Sequence, residues 1–194
     1  MSTSIQEQLS TRTWQIDAAH TNVEFAVRHL MISTVRGRFG QIEGTVELDE
    51  TEPVLVAVQV TIPVAGIDTR NDQRDAHLRS ADFFDAEHYP TITFGGRLII
   101  GDLTGDFQLE GELTIRGTTR PIILQITSEG RGLDPWGNEK AGFSATARID
   151  RRDFGLTYNL ALEAGGVVVG NEVKISLDVE LQRPALAETL AAAS

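Results

Sequence analysis

Most of the chain alternates between apolar and polar residues with a period of two. The clearest row consists of Val54, Val56, Val58, Val60, Ile62 and Val64. Since successive side chains of a strand point to opposite faces of a sheet, this period predicts strands with one apolar face. We count about eight such strands, joined by short turns such as residues 134–138.

Residues 34–48 keep the alternation but change its phase. Val35 and Phe39 belong to one phase, whereas Ile42 and the alternate residues after it belong to the other. A slip of one residue moves every following side chain to the opposite face of a strand. We therefore predict a β-bulge near Gly40.

Residues 68–90, which we call the lid segment, do not alternate. They lie between two predicted strands, are rich in arginine, histidine and aspartate, and contain the Phe83-Phe84 pair. In a helix, Leu78, Ala81 and Phe84 would share one side. We predict a short helix and a loop that cover one end of a β-structure.

Eight antiparallel strands with one apolar face each can close into a barrel, and closure removes the exposed edges of the sheet. We therefore predict an all-β fold with one short helical segment, in which an antiparallel eight-stranded barrel carries a helix and loop as its lid. A flexible arm is expected at residues 1–12, the barrel domain at 13–183 and a C-terminal tail at 184–194. The inward row has few bulky aromatics, so it either leaves room for an apolar ligand or packs as a core of small residues.

Composition narrows the classes of partner. With 17 basic and 28 acidic residues the formal net charge is −11, which argues against nucleic acid and anionic membrane surfaces as main partners. No apolar run reaches the roughly 18 residues that span a bilayer, so we expect no stable membrane insertion. The first 14 residues lack the features of a secretory signal and the chain has no cysteine, so we expect a cytoplasmic protein. The sequence leaves undecided whether the chain forms a homodimer.

Four groups of residues resemble the YceI-like family, in the same order and over roughly residues 14–181. They are Asp17, His20, Val23, Phe25 and His29 with Val35, Gly37 and Phe39; residues 74–85 with Tyr89, Pro90 and Phe94; residues 111–118; and residues 152–156. The resemblance implies a lipocalin-like barrel that binds polyisoprenoid and other long-chain lipids. The expected function is to sequester or carry such a lipid, most of all a polyisoprenoid or an isoprenoid quinone.

The sequence contains no G-x-S-x-G, H-E-x-x-H, P-loop or dinucleotide-binding motif. We therefore predict a binding protein without catalytic residues, cofactor or metal. The alternative is a cyclase, isomerase or hydrolase that acts on an apolar substrate, with His29, His77 or Asp75 as acid or base. Asp17 and His20 are spaced like the start of a metal site, but two ligands are fewer than a zinc site needs.

The predicted ligand lies inside the barrel. Burial of an apolar tail gives affinity but little selectivity, so we expect the lid segment to contact a polar head group through Arg74, His77 or Arg79. The alternatives are surface ion pairs for the arginines and a bracing role for His77. His29 either contacts a head group or is a hydrogen-bonded core histidine. The full predicted ligand-binding set is Val23, Phe25, Val27, His29, Arg74, His77, Leu78, Arg79, Phe83, Phe84, Phe94, Leu98, Phe107, Leu109, Leu124, Phe143 and Ala145.

Overall fold

The computed structural model describes residues 11–49, 55–101, 104–160 and 167–183. Within these ranges the strands are β1 (Thr11–Ile16), β2 (Asn22–His29), β3 (Ser33–Phe39), β4 (Glu43–Asp49), β5 (Leu55–Pro63), β6 (Ile67–Asp68), β7 (Thr91–Gly101), β8 (Asp106–Ile115), β9 (Thr118–Leu133), β10 (Glu139–Asp150) and β11 (Val169–Arg183). One helix, α1 (Asp72–Arg79), and two 3-10 turns, Val64–Gly66 and Arg151–Phe154, complete them. No helix in the described ranges is long and apolar enough to cross a membrane.

These eleven strand segments form a barrel of eight strands. Three of the eight are each interrupted once and are therefore counted as two segments. β1 and β2 pair with the same strand, β11, and residues 17–21 separate them. In the same way β3 and β4 form one broken strand, and β5 and β6 form another. Each strand pairs antiparallel with its neighbours in sequence, and β1 pairs with β11 to close the ring. The predicted closed barrel with one short helix is confirmed.

The phase change near Gly40 appears as the break between β3 and β4. The Gly40 N–H donates to the Gly66 carbonyl at 3.0 Å, in the equivalent break between β5 and β6. Neighbouring strands therefore bend at the same level of the barrel. The predicted change of phase is present, but the predicted single bulge is wrong, since residues 40–42 form a short loop between β3 and β4.

The first strand was missed. β1 begins at Thr11, so residues 11 and 12, which were predicted to belong to the flexible arm, lie in a strand. The remainder of that arm, the tail at 184–194 and Val54 lie outside the described residues. Trp14 and Ile16 alternate with polar neighbours in this strand, and that short pattern was the available signal.

One end of the barrel is covered, and we call it the lid end. There the lid segment connects β6 to β7 and meets the turn between β8 and β9. Arg116 in that turn donates to the Ala81 carbonyl at 2.8 Å and to the Gly155 carbonyl at 3.2 Å. The β8–β9 turn, the lid segment and the residues after the second 3-10 turn are thereby tied together.

At the opposite end, which we call the Trp14 end, β9 and β10 join in a tight turn. Asp134 accepts hydrogen bonds from the backbone N–H groups of Trp136 and Asn138, both at 2.9 Å. An aspartate that accepts from the backbone two residues ahead stabilises a turn. The turn predicted at residues 134–138 is present.

Candidate functional site

A cavity of about 270 Å³ occupies the inside of the barrel. Its wall consists of inward side chains from the strands, together with Leu78 and other residues of the lid segment. Among the described residues that line it, the charged ones are Glu24, Arg131 and Arg151, and the rest are apolar. Such a lining binds an apolar molecule through burial and offers few polar contacts.

The structure brings most of the predicted ligand-binding residues together around this cavity. Those that line it are Val23, Phe25, Val27, Leu78, Phe83, Phe84, Phe94, Phe107, Leu109, Leu124, Phe143 and Ala145. His29, Arg74, His77 and Arg79 are not among the lining residues. Leu98 belongs to β7, but its side chain lies outside the described part of the structure. That these residues contact a ligand stays a prediction.

Space remains open beside β11. Its inward residues Val173, Ile175 and Leu177 are half-buried, whereas Phe107 and Leu109, the inward residues of β8, are buried. All five line the cavity, so the exposed fraction of the β11 side chains faces the interior of the barrel. Of the two alternatives for the inward row, the structure therefore has room for a ligand.

A row of aromatic rings connects the lid segment to the interior. Phe84 meets Phe39 edge-on with ring centroids 6.1 Å apart, and Phe39 lies 5.7 Å from Phe25. Phe25 and Phe39 belong to the paired strands β2 and β3. The lid segment is thus packed against the barrel wall by apolar contacts that also line the cavity.

His77 braces the lid segment from outside the cavity. Its Nε2 shares a 2.8 Å hydrogen bond with the Asp82 carboxylate. Its ring stands edge-on to those of Phe83 and Tyr158, with centroids 5.1 and 4.9 Å away. These contacts match the bracing alternative for His77 and connect the lid segment to the loop before β11.

The two arginines of α1 hold the beginning of the lid segment. Arg74 donates through Nε to the Thr69 hydroxyl and through Nη2 to the Thr69 carbonyl, both at 2.7 Å. Arg79 donates to the Ile67 carbonyl at 3.4 Å. The buried Asp75 accepts from the Thr69 N–H at 2.9 Å and from its hydroxyl. The head-group role of Arg74 and Arg79 stays a prediction, and these contacts direct both side chains away from the cavity.

Arg151 is a buried cation at the lid end, with 5% of its surface exposed. Its guanidinium donates to the carbonyls of Leu156 and Tyr158 on one side. On the other side it donates to the carbonyls of Val169 and Gly170 in β11. Burial lowers the pKa of Arg151. All of these acceptors are uncharged. Because they lie in two different segments, Arg151 fastens the loop after the 3-10 turn to the barrel wall.

Two further arginines meet at the Trp14 end. The indole of Trp14 is 3% exposed. The guanidinium of Arg183 lies 4.8 Å from the ring centroid, and that of Arg131 lies 5.8 Å from it. Arg183 also donates to the Glu139 carboxylate at 2.6 Å. Arg131 could not be identified from the sequence, because the apolar alternation along this strand stops after Ile126.

Lys140 connects three side chains at the break between β1 and β2. Its ammonium donates to Asp17 at 2.7 Å, to Glu180 at 2.9 Å and to Gln182 at 3.1 Å. The His20 ring lies 3.0 Å from the Asp17 carboxylate. The hydrogen bonds from Lys140 and His20 hold the pKa of Asp17 far below its ordinary value, and Asp17 raises the pKa of both partners.

Asp17, His20 and Glu180 place three metal-type ligand atoms within 4.8 Å of one another. This is one ligand more than the sequence indicated. The ammonium of Lys140 already pairs with both carboxylates, at 2.7 and 2.9 Å, and offsets part of their charge. The cluster is therefore an ion-pair network on the barrel wall, and the absence of a metal stays a prediction.

Comparison with known proteins places these features in a family. A family model described as the YceI-like domain matches residues 14–181. Protein YceI of Escherichia coli O17:K52:H18 is 38% identical over 144 residues, which cover 74% of this chain and 75% of that protein. The YCEI protein of Campylobacter jejuni has a similar structure, with a TM-score of 0.68 and 30% identity over 81% of this chain and 90% of that one.

A third similar structure is a polyisoprenoid binding domain from Saccharophagus degradans, implicated in plant cell wall breakdown. Its TM-score is 0.64, and it covers 88% of this chain and 98% of that one. Since the two sequences are 16% identical, the likeness shows a shared barrel fold.

Proposed function

The chain belongs to the YceI-like domain family, and on that premise we propose that its barrel binds a long-chain apolar lipid, such as a polyisoprenoid or an isoprenoid quinone, which it sequesters or carries. The observation that carries the proposal is the cavity of about 270 Å³ with an almost wholly apolar described lining. The polyisoprenoid binding domain of the same fold supports this ligand class.

Burial in the cavity supplies the affinity. Each methylene group moved from water to an apolar environment contributes about 0.8 kcal/mol. The rings of Phe25, Phe39 and Phe84 lie in contact along the cavity wall, where they offer a continuous apolar surface to a flexible tail. We expect affinity to rise with tail length until the cavity is filled.

The residues that line the cavity favour a binding function over an enzymatic one. Along the described part of the wall there is no hydroxyl, thiol or imidazole. Of the three residues considered as acid or base, His29 and His77 do not line the cavity, and Asp75 accepts hydrogen bonds from Thr69. None of the three residues considered for the enzyme alternative therefore lines the cavity in which a tail would bind.

A cavity-filling substitution tests the proposal. Leu177 is inward and half-buried, whereas its neighbour Ser176 is exposed on the outer face of β11. We expect Leu177→Trp to remove the long-chain lipid that mass spectrometry detects after purification from the native host. Ser176→Trp should retain it. Equal lipid content in both variants, or no long-chain lipid in the unmodified protein, would contradict the proposal.

A further inference from the structure

We infer that the Trp14 end of the cavity is a binding site for an anionic head group, with Arg131 as the cation that contacts it. This inference rests on the proposed function and deepens it. It restricts the ligand to an apolar tail that ends in a phosphate or a carboxylate, and it places that terminus at the end of the barrel opposite the lid segment.

A bulge in β9 determines the direction in which Arg131 points. In the pairing of β9 with β10, Ser128 is opposite Phe143, but Gly130 is opposite Gly142, so Glu129 is an additional residue in β9. An unpaired extra residue of this kind is a β-bulge, which shifts the phase of the residues after it. Without the shift, the residue after Gly130 would face outward.

With the shift, Arg131 is opposite Ala141. Ala141 is an inward residue with 2% of its surface exposed, and paired residues of neighbouring strands share a face. Arg131 is accordingly an inward arginine, and it lines the cavity with the carbon atoms of its side chain. Gly130 supplies the backbone angle of the bulge, with φ at +116°, a region in which other residues are strained.

The three arginines near the cavity differ in what their N–H groups contact. Arg151, the other arginine of the lining, gives its N–H groups to protein carbonyls. Arg183 donates to Glu139. Across the described ranges, the recorded contact of Arg131 is with the face of Trp14. A guanidinium that lies over the face of a ring makes no conventional hydrogen bond to it, so its N–H donors remain available for a planar or tetrahedral anion.

Arg131 is also accessible to water. Arg131 is exposed although it lines the cavity, so it lies where the interior meets water. Burial of a charged head group without a partner is strongly unfavourable. At this position the head group keeps part of its hydration and gains charge-assisted hydrogen bonds, while the tail extends along the apolar wall toward the lid end.

The test compares farnesyl phosphate with farnesol, which share one tail. Each displaces a fluorescent apolar probe, 1-aminoanthracene, from the delipidated protein. We expect Arg131→Gln to weaken farnesyl phosphate by about tenfold and farnesol by less than about twofold. The matched control is Arg148→Gln, which removes the same charge from an exposed arginine that pairs with Glu172 on the outer wall. It should leave both affinities unchanged.

A second variant tests the bulge without removing the arginine. In Gly130→Ala the new methyl group meets no atom within 4 Å, so its effect comes from the backbone angle. We expect it to reduce the preference for farnesyl phosphate over farnesol as well.

The outcomes separate the two proposals. Equal losses for both ligands in Arg131→Gln, or no loss for either, would overturn the head-group site while tail binding stands. If neither ligand displaces the probe from the unmodified protein, the proposed function fails and the head-group site fails with it.

Discussion

At the lid end, Arg74 and Arg151 donate to oxygens of the protein itself, whereas at the Trp14 end Arg131 lies against an aromatic ring. The first kind of arginine fixes one piece of chain to another, because carbonyl acceptors of known position hold its planar group in place. The second kind is oriented by a ring that accepts no conventional hydrogen bond, so its donors stay available. The two ends of one cavity are thus suited to different tasks, closure at one and recognition at the other.

The largest effect on stability is expected at the lid end. Arg151→Met removes a donor from the buried carbonyls of Leu156 and Gly170, and each unsatisfied buried group costs about 1–3 kcal/mol. We expect the free energy of unfolding, measured with urea, to fall by about 3–5 kcal/mol. A loss below about 1 kcal/mol would show that Arg151 does not fasten this end of the barrel.

The next largest effect is expected in the ion-pair network beside the Trp14 end. Asp17 and Lys140 are 11% and 21% exposed in their side chains, so Asp17→Asn should lower the free energy of unfolding by about 1–3 kcal/mol at neutral pH. Lys140→Gln is the companion variant, because it removes the other partner of the same bond.

The pH dependence of this loss has a defined sign. The pKa of Asp17 is lower in the folded protein than its ordinary value of about 3.9. Its contribution is therefore fully present above that value and is lost as the pH falls toward the folded pKa. The difference between Asp17→Asn and the unmodified protein should shrink below about pH 4. A difference that is the same at pH 3 and pH 7 would contradict the ion pair.

A smaller effect is expected for the arginines of α1. The double variant Arg74→Ala, Arg79→Ala should lower the free energy of unfolding by about 1 kcal/mol, since it removes hydrogen bonds to Thr69 and Ile67. If these side chains only hold the lid segment, farnesol and farnesyl phosphate should lose affinity equally. A selective loss of farnesyl phosphate would restore the head-group role that the sequence predicted for them and break the contrast between the ends.

The smallest effect on stability is expected for Arg131→Gln. Arg131 is exposed, and its recorded contact within the described residues is with Trp14, so the free energy of unfolding should change by less than about 0.5 kcal/mol. Thermal unfolding measured beside the binding assay checks this. A large loss would place Arg131 with Arg151 as a structural residue.

The barrel and its apolar lining could be predicted from the sequence, because both follow from a local period. Val23, Phe25 and Val27 alternate with polar neighbours, and in the structure all three line the cavity. Phe83 and Phe84 could be assigned to a lid because the pattern stops around them. The interrupted strands were less visible, since a break shifts the phase and ends the period that identifies a strand.

The charged residues that contact the cavity could not be predicted from the sequence in the same way. Arg74, His77 and Arg79 are close in sequence, but α1 turns them toward the backbone and the aromatic rings of the lid end. Arg131 faces inward because of a bulge one residue before Gly130. Proximity in sequence says little about a shared target, and a bulge leaves no periodic signal.

The position of a bound lipid tests the central claim most directly. The chain has two tryptophans, so Trp136→Phe leaves Trp14 as its single indole. Two fatty acids, one with bromine atoms near the carboxylate and one with bromine atoms near the methyl end, are titrated against Trp14 fluorescence, and probe displacement confirms that both bind. We predict saturable quenching by both, with the stronger quenching from bromine near the carboxylate. Binding of both acids without quenching, or stronger quenching from the methyl end, would contradict a lipid that lies in the barrel with its head group at Trp14.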